Sequence, residues 1–142
     1  MQVKLVLAPM AGTAVDPDVV RVATTLAKAW KAQVLLIHVI EVRWNMPLDA
    51  VLDAETERGE VILDDATRLA EQAGVKVNSE LVQAREASAA IIDTARDRGV
   101  DLIVLGMPFR KRMGRVYVGK TVQSVYVGAP CAVLAYRQEE TR

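Results

Sequence analysis

Five short apolar runs, separated by stretches of helical periodicity, restrict this chain's fold more than any other feature. The runs are VKLVLA (3–8), QVLLIHV (33–39), KVNSELV (76–82), DLIVLG (101–106) and CAVLAY (131–136). The first, second and fourth are almost continuously aliphatic, as expected of parallel strands covered on both faces. The third alternates, with Asn78 and Glu80 between apolar residues, and predicts a strand with one wet face, as at a sheet edge. Between the runs, Val19, Ala23, Leu26, Ala27 and Trp30 recur at helical spacing behind Asp16-Pro17, an acid suited to the N-cap and a proline suited to the first turn. Ile62, Ala66, Leu69, Ala70 and Ala73 mark a second helix stopped by Gly74. Ala87, Ile91, Thr94 and Ala95 mark a third, closing at Gly99, and a short fourth runs over 119–127 before Gly128 and Pro130.

The order is β-α-β-α-β-α-β-α-β. Such alternation predicts an α/β fold, a parallel sheet with right-handed crossovers and helices on both faces. The 142 residues, half of them apolar (51%), suit a single domain over 1–142. In such sheets ligands bind beyond the carboxyl ends of the strands, where the strand order reverses. The loops after the strands are therefore where chemistry is expected. The connection EVRWNMPLDAVLDAE (41–55) is longer than usual and marks a flexible or functional loop, in which Trp44 and Met46 either close over a base or plug a gap.

Composition excludes several function classes. Eighteen basic residues balance eighteen acidic ones, which argues against bulk nucleic-acid or membrane binding. No apolar run approaches the ~20 residues needed to cross a bilayer, and the first residues make a poor signal peptide. A cytoplasmic location is expected, and the lone Cys131 allows no internal disulfide. No Ser/His/Asp set and no paired carboxylates at strand ends suggest catalysis, so no catalytic residue is assigned and no enzyme is expected. His38, the single histidine, lacks a Cys/His/Asp cluster, and no metal site is expected.

The stretch GRVYVGKT (114–121) fits the phosphate-cradling pattern G-x-x-x-x-G-K-[ST] letter for letter. The context does not fit. In a true P-loop the first glycine leaves a strand directly, whereas MPFRKRM (107–113) intervenes here, and the loop body RVYV is bulky. The NTPase reading is rejected, but part of its physics survives. Gly119, Lys120 and Thr121 open the fourth helix, whose unpaired amides and partial positive charge suit an anion. Arg110, Lys111, Arg112 and Arg115 lie just upstream.

At this point the chain resembles the universal stress protein family. The resemblance is carried by APMAGTAVDP (8–17), LLIHVIE (35–41) and ARDRGVDLIVLGMPFRKRMGRVYVGKTVQSVYVGAPCAVLAYR (95–137). It implies a Rossmann-like three-layer sandwich with a five-stranded parallel sheet of order 3-2-1-4-5, dimers through the last strand (131–136, Cys131 to Tyr136), and, in the ATP-binding branch, G-x2-G-x9-G-[ST] after strand four. Gly106 and Gly119 match that motif. Phe109 stands at its second glycine, Lys120 at its Ser/Thr position with Thr121 one place later, and Ala11 where the family has a nucleoside-contacting aspartate. The implied nucleotide site comprises Pro9, Met10 and Val39 on the base side, Gly106, Gly119, Lys120 and Thr121 at the phosphates with Arg110 and Arg112 assisting, and further Ala11, Leu105 and Phe109, whose ring either blocks the cleft or stacks on a base. The implied function is a regulatory, stress-response sensor of ATP, AMP or a related anionic nucleotide. The alternative is a nucleotide-free dimeric interaction module or one that regulates a transporter. Val133 and Tyr136 belong to the fifth strand, which in that order lies at the sheet edge, and this motivates a homodimer, because pairing two edges removes an aggregation hazard.

Overall fold

The computed structural model describes residues 1–109, 111–112, 114–116 and 118–140, with the main chain only at 111, 112, 115 and 116. The elements are β1 (Leu5–Pro9), α1 (Asp16–Trp30), β2 (Gln33–Glu41), α2 (Asp53–Gln72), β3 (Val77–Ala84), α3 (Ala87–Arg98), β4 (Leu102–Met107), β5 (Lys111–Arg112), β6 (Arg115–Val116), α4 (Lys120–Gly128) and β7 (Ala132–Arg137). Five strands form one parallel sheet in the order β3-β2-β1-β4-β7, which is the expected 3-2-1-4-5 order with β7 as the fifth strand.

The period of two along the strands explains the continuous aliphatic runs. Val6, Ala8, Val34, Leu36, Leu102 and Val104 face one core with α1 and α2. Their neighbours Leu7, Leu35, Ile37, Ile103 and Leu105 face a second core with Ile91 of α3 and Val125 of α4. Each fully buried valine, leucine or isoleucine among them contributes roughly 1.5–3 kcal/mol. β3 contains no fully buried residue and lies at the sheet edge, as its alternation implied.

The central seam has a local cause. β1 pairs with β2 through Pro9↔Ile37, but with β4 only at Val6↔Leu102 and Leu7↔Ile103. Beyond Ile103, β4 continues with β7 as far as Met107↔Arg137. Met10 N–H donates to Ile37 O, and Leu5 O accepts from Asp101 N–H, so even-numbered β1 residues address β2 and odd-numbered ones address β4. Pro9 is odd and has no N–H to offer β4. The sheet therefore parts at its carboxyl end between β1 and β4.

Three features depart from the sequence reading. The segment after β4 forms a small antiparallel hairpin, Lys111↔Val116 and Arg112↔Arg115, that turns at Gly114. Only two residues pair on each arm, too few to give a periodic signal. β2 and β3 each run two residues past the expected ends, 39 and 82. Asp16 does not cap α1. The N-cap position is Val15, and the Asp16 carboxylate turns back to the preceding loop instead.

Candidate functional site

The loop after β1 is built around Asp16. Its Oδ2 accepts from Gly12 N–H at 2.8 Å and its Oδ1 from Ala11 N–H at 3.2 Å, drawing residues 11–16 into a closed turn. Burial pushes the Asp16 carboxyl up from its ordinary value, partly opposed by these amides and by the nearby His38. Thr13 Oγ1 is buried here without a hydrogen-bond partner. Met10 is 1% exposed and belongs to the α1/α2 core, so the loop's polar offering comes from its main chain.

His38 of β2 donates from Nδ1 to Met10 O at 2.7 Å, which fixes the orientation of the ring. This is the backbone-satisfied histidine the sequence suggested. The ring lies beneath α2 at Gly59, where a Cβ would stand 2.9 Å from His38 Cδ2. Among the described residues no group of three or more His, Cys, Asp or Glu is arranged to hold a metal.

Ala11 and Val39 lie beside one hollow. With His38, Glu41, Glu55 and Arg58 they line a hollow of about 230 Å³. Sequence reasoning missed Arg58, Glu55 and the role of Glu41. The helical pattern was read from Ile62 onward, yet α2 begins at Asp53, and Gly59 masked its first turns. An Arg58 Nη atom lies 3.4 Å from where a Cβ on Gly12 would stand, so this cation, unpaired among the described residues, overhangs the first loop. Glu41 Oε2 accepts from Ala87 N–H at 3.0 Å, so a side chain lining the hollow also caps α3.

On the β4 side, Leu105 lies in the α3/α4 core. Gly106 packs against α1, where a Cβ would stand 2.3 Å from Val19 Cγ2 and 3.0 Å from Val15 Cγ1. The glycine is thus required by helix–sheet packing, whatever it does for a ligand. Phe109 is half-buried, with the Arg137 guanidinium 4.9 Å over its ring. Gly119 is the N-cap of α4 in extended conformation, with nothing within 4 Å of a built Cβ. No side chain caps the helix and no acid lies in its first turn, while Lys120 and Thr121 are exposed at its start. Arg110 and the Arg112 side chain lie outside the described residues. The GRVYVGKT stretch begins at the hairpin turn and passes through β6, so its first glycine does not leave a strand of the five-stranded sheet.

A family model described as the universal stress protein family matches residues 2–137. The chain belongs to the universal stress protein family. A universal stress protein of Methanocaldococcus jannaschii is 27% identical over 141 residues, covering 95% of this chain and 82% of that protein. The universal stress protein from Archaeoglobus fulgidus, solved in complex with dAMP, superposes with TM-score 0.74 at 19% identity, covering 94% of this chain and 96% of that one. A universal stress protein solved in complex with cAMP gives TM-score 0.73 at 18% identity, covering 98% and 100%. At these identities the two structures establish the shared fold. Trp44, considered above as a lid on a base, is 78% exposed and lies on the β3/α3 side, away from the hollow of Ala11 and Val39.

Proposed function

We propose that this universal stress protein is a regulatory sensor that binds ATP, AMP or a related anionic nucleotide beyond the parted ends of β1 and β4. The observation that carries this reading is the seam itself: pairing between the two central strands stops at Leu7↔Ile103, where the strand order reverses. The uncapped start of α4, free of acids and led by Lys120, suits phosphate. The hollow lined by Ala11, Val39 and Arg58 suits the base and sugar. The dAMP and cAMP carried by family neighbours support an adenine nucleotide. No turnover is assigned to any residue, and the protein acts in the cytoplasm as a homodimer through β7. Calorimetric titration with ATP, AMP and cyclic dinucleotides tests the reading, and the absence of heat with all of them overturns it.

A second reading, a nucleotide-free dimeric interaction module, draws support from Phe109. Its ring stands at a motif glycine and is engaged by Arg137 at the sheet edge. Protein purified without nucleotide absorbance that also fails to bind added nucleotide favours this reading.

A further inference from the structure

We propose that the groove between the β2–α2 connection, the end of β3 and α3 docks a lysine- or arginine-bearing segment of a partner protein, anchored by an apolar side chain. The inference does not rest on the nucleotide reading. The groove encloses about 610 Å³. Its apolar lip is Trp44 with Leu48, which are 78% and 48% exposed. Large aromatics left in water beside apolar neighbours mark interaction surfaces.

Trp44 is held rather than loose. The Arg85 guanidinium stacks 4.9 Å over the indole, and its Nη1 donates to Arg43 O at 2.6 Å and Met46 O at 2.8 Å. An anchor fixed before binding loses less conformational freedom on docking.

The α3 side of the groove is acidic. Glu86, Asp93 and Asp97 all line the groove, and the last two stand one turn apart on the same face of α3. None has an ion-pair or hydrogen-bonding side-chain partner among the described residues. Arg85 is the one cationic side chain among the lining residues, and two of its hydrogen bonds are spent on loop carbonyls. The chain as a whole is neutral, so this negative surplus is local. An apolar lip and carboxylates unpaired among the described residues, lining one groove, complement an apolar anchor with basic flanks and repel phosphate backbones.

The test makes Trp44 the reporter. The chain has two tryptophans, so Trp30→Phe leaves one. This variant is titrated with a short synthetic peptide of leucines and lysines, and with its counterpart carrying glutamate at every lysine. The expected result is a saturable blue shift of Trp44 emission with the lysine peptide alone. Adding Asp93→Lys and Asp97→Lys weakens that binding roughly tenfold or more, as does raising salt to about 0.5 M. No response, an equal response to both peptides, or a response indifferent to the charge reversal overturns the proposal. Circular dichroism verifies that the reversed variant is folded; should it unfold, Trp44→Ser followed by calorimetry replaces it, with loss of binding expected and unchanged binding overturning. A dimer that becomes monomeric on Trp44→Ala would seat a second copy in the groove and also overturn it.

Discussion

Gly106 and Val19 touch so closely that even a methyl group on the glycine would stand 2.3 Å from Val19 Cγ2. Gly106→Ala should therefore destabilise the protein by about 1–3 kcal/mol through overpacking. Adding Val19→Ala removes the obstructing atom and should recover part of the loss. Denaturant unfolding of the two variants checks this. A double variant no more stable than Gly106→Ala would show that the obstruction is not what demands the glycine.

The Asp16 clasp makes stability depend on pH with a definite sign. Burial raises the Asp16 carboxyl above its ordinary value of 3.8, so the folded state binds the proton more tightly than the unfolded chain. The contribution is complete below that ordinary value and is lost as pH rises through the folded one. Relative to Asp16→Asn, the wild type should lose stability as pH rises from 3.8 towards the raised value, then level off. Urea unfolding from acid to neutral pH, comparing the two proteins, reads the slope.

Lys31 closes α1 in the left-handed region at φ 55°, the geometry that Gly99 supplies after α3. A side chain in that region costs about 1–2 kcal/mol, and glycine's extra unfolded freedom costs about 0.5–1. The difference favours Lys31→Gly by roughly 0.5–1 kcal/mol, visible as a higher midpoint of thermal unfolding.

If phosphate sits at the start of α4, Lys120→Ala should weaken ATP more than AMP, by roughly tenfold for the triphosphate, as expected for one charge-assisted contact. Arg58→Ala should weaken both about equally, because it stands at the base end. Calorimetry on the variants separates the two ends of the ligand.

Val127 and Leu134 are 88% and 40% exposed beside the β7 edge. A homodimer through β7 would cover them. Val127→Glu with Leu134→Glu should yield monomers at micromolar concentration in light scattering, and a wild type that is already monomeric would remove the homodimer.

The sheet was legible because buried parallel strands must be aliphatic at consecutive positions, and three of the five runs, 3–8, 33–39 and 101–106, were nearly so. β3 could be placed at an edge because Asn78 and Glu80 cannot sit in a dry interior. The site was less legible. Asp16 looked like a cap because its position relative to Pro17 is that of one, but caps are defined by where the carboxylate turns. Arg58 carried no local signal, since its importance comes from α2 crossing over Gly12, a tertiary event. Gly106 fitted a ligand motif and also fills a packing role, and only coordinates reveal the second.

The connection between β2 and α2 is secured by Arg85 and Gln83, whose bonds go to the main-chain oxygens of Arg43, Met46, Leu48 and Ala50. Every amino acid carries such an oxygen. The path of this segment is thus written into the strand beneath it, and its own letters can be exchanged without unmooring it. Trp44 occupies a display position whose identity is open to selection for what it meets.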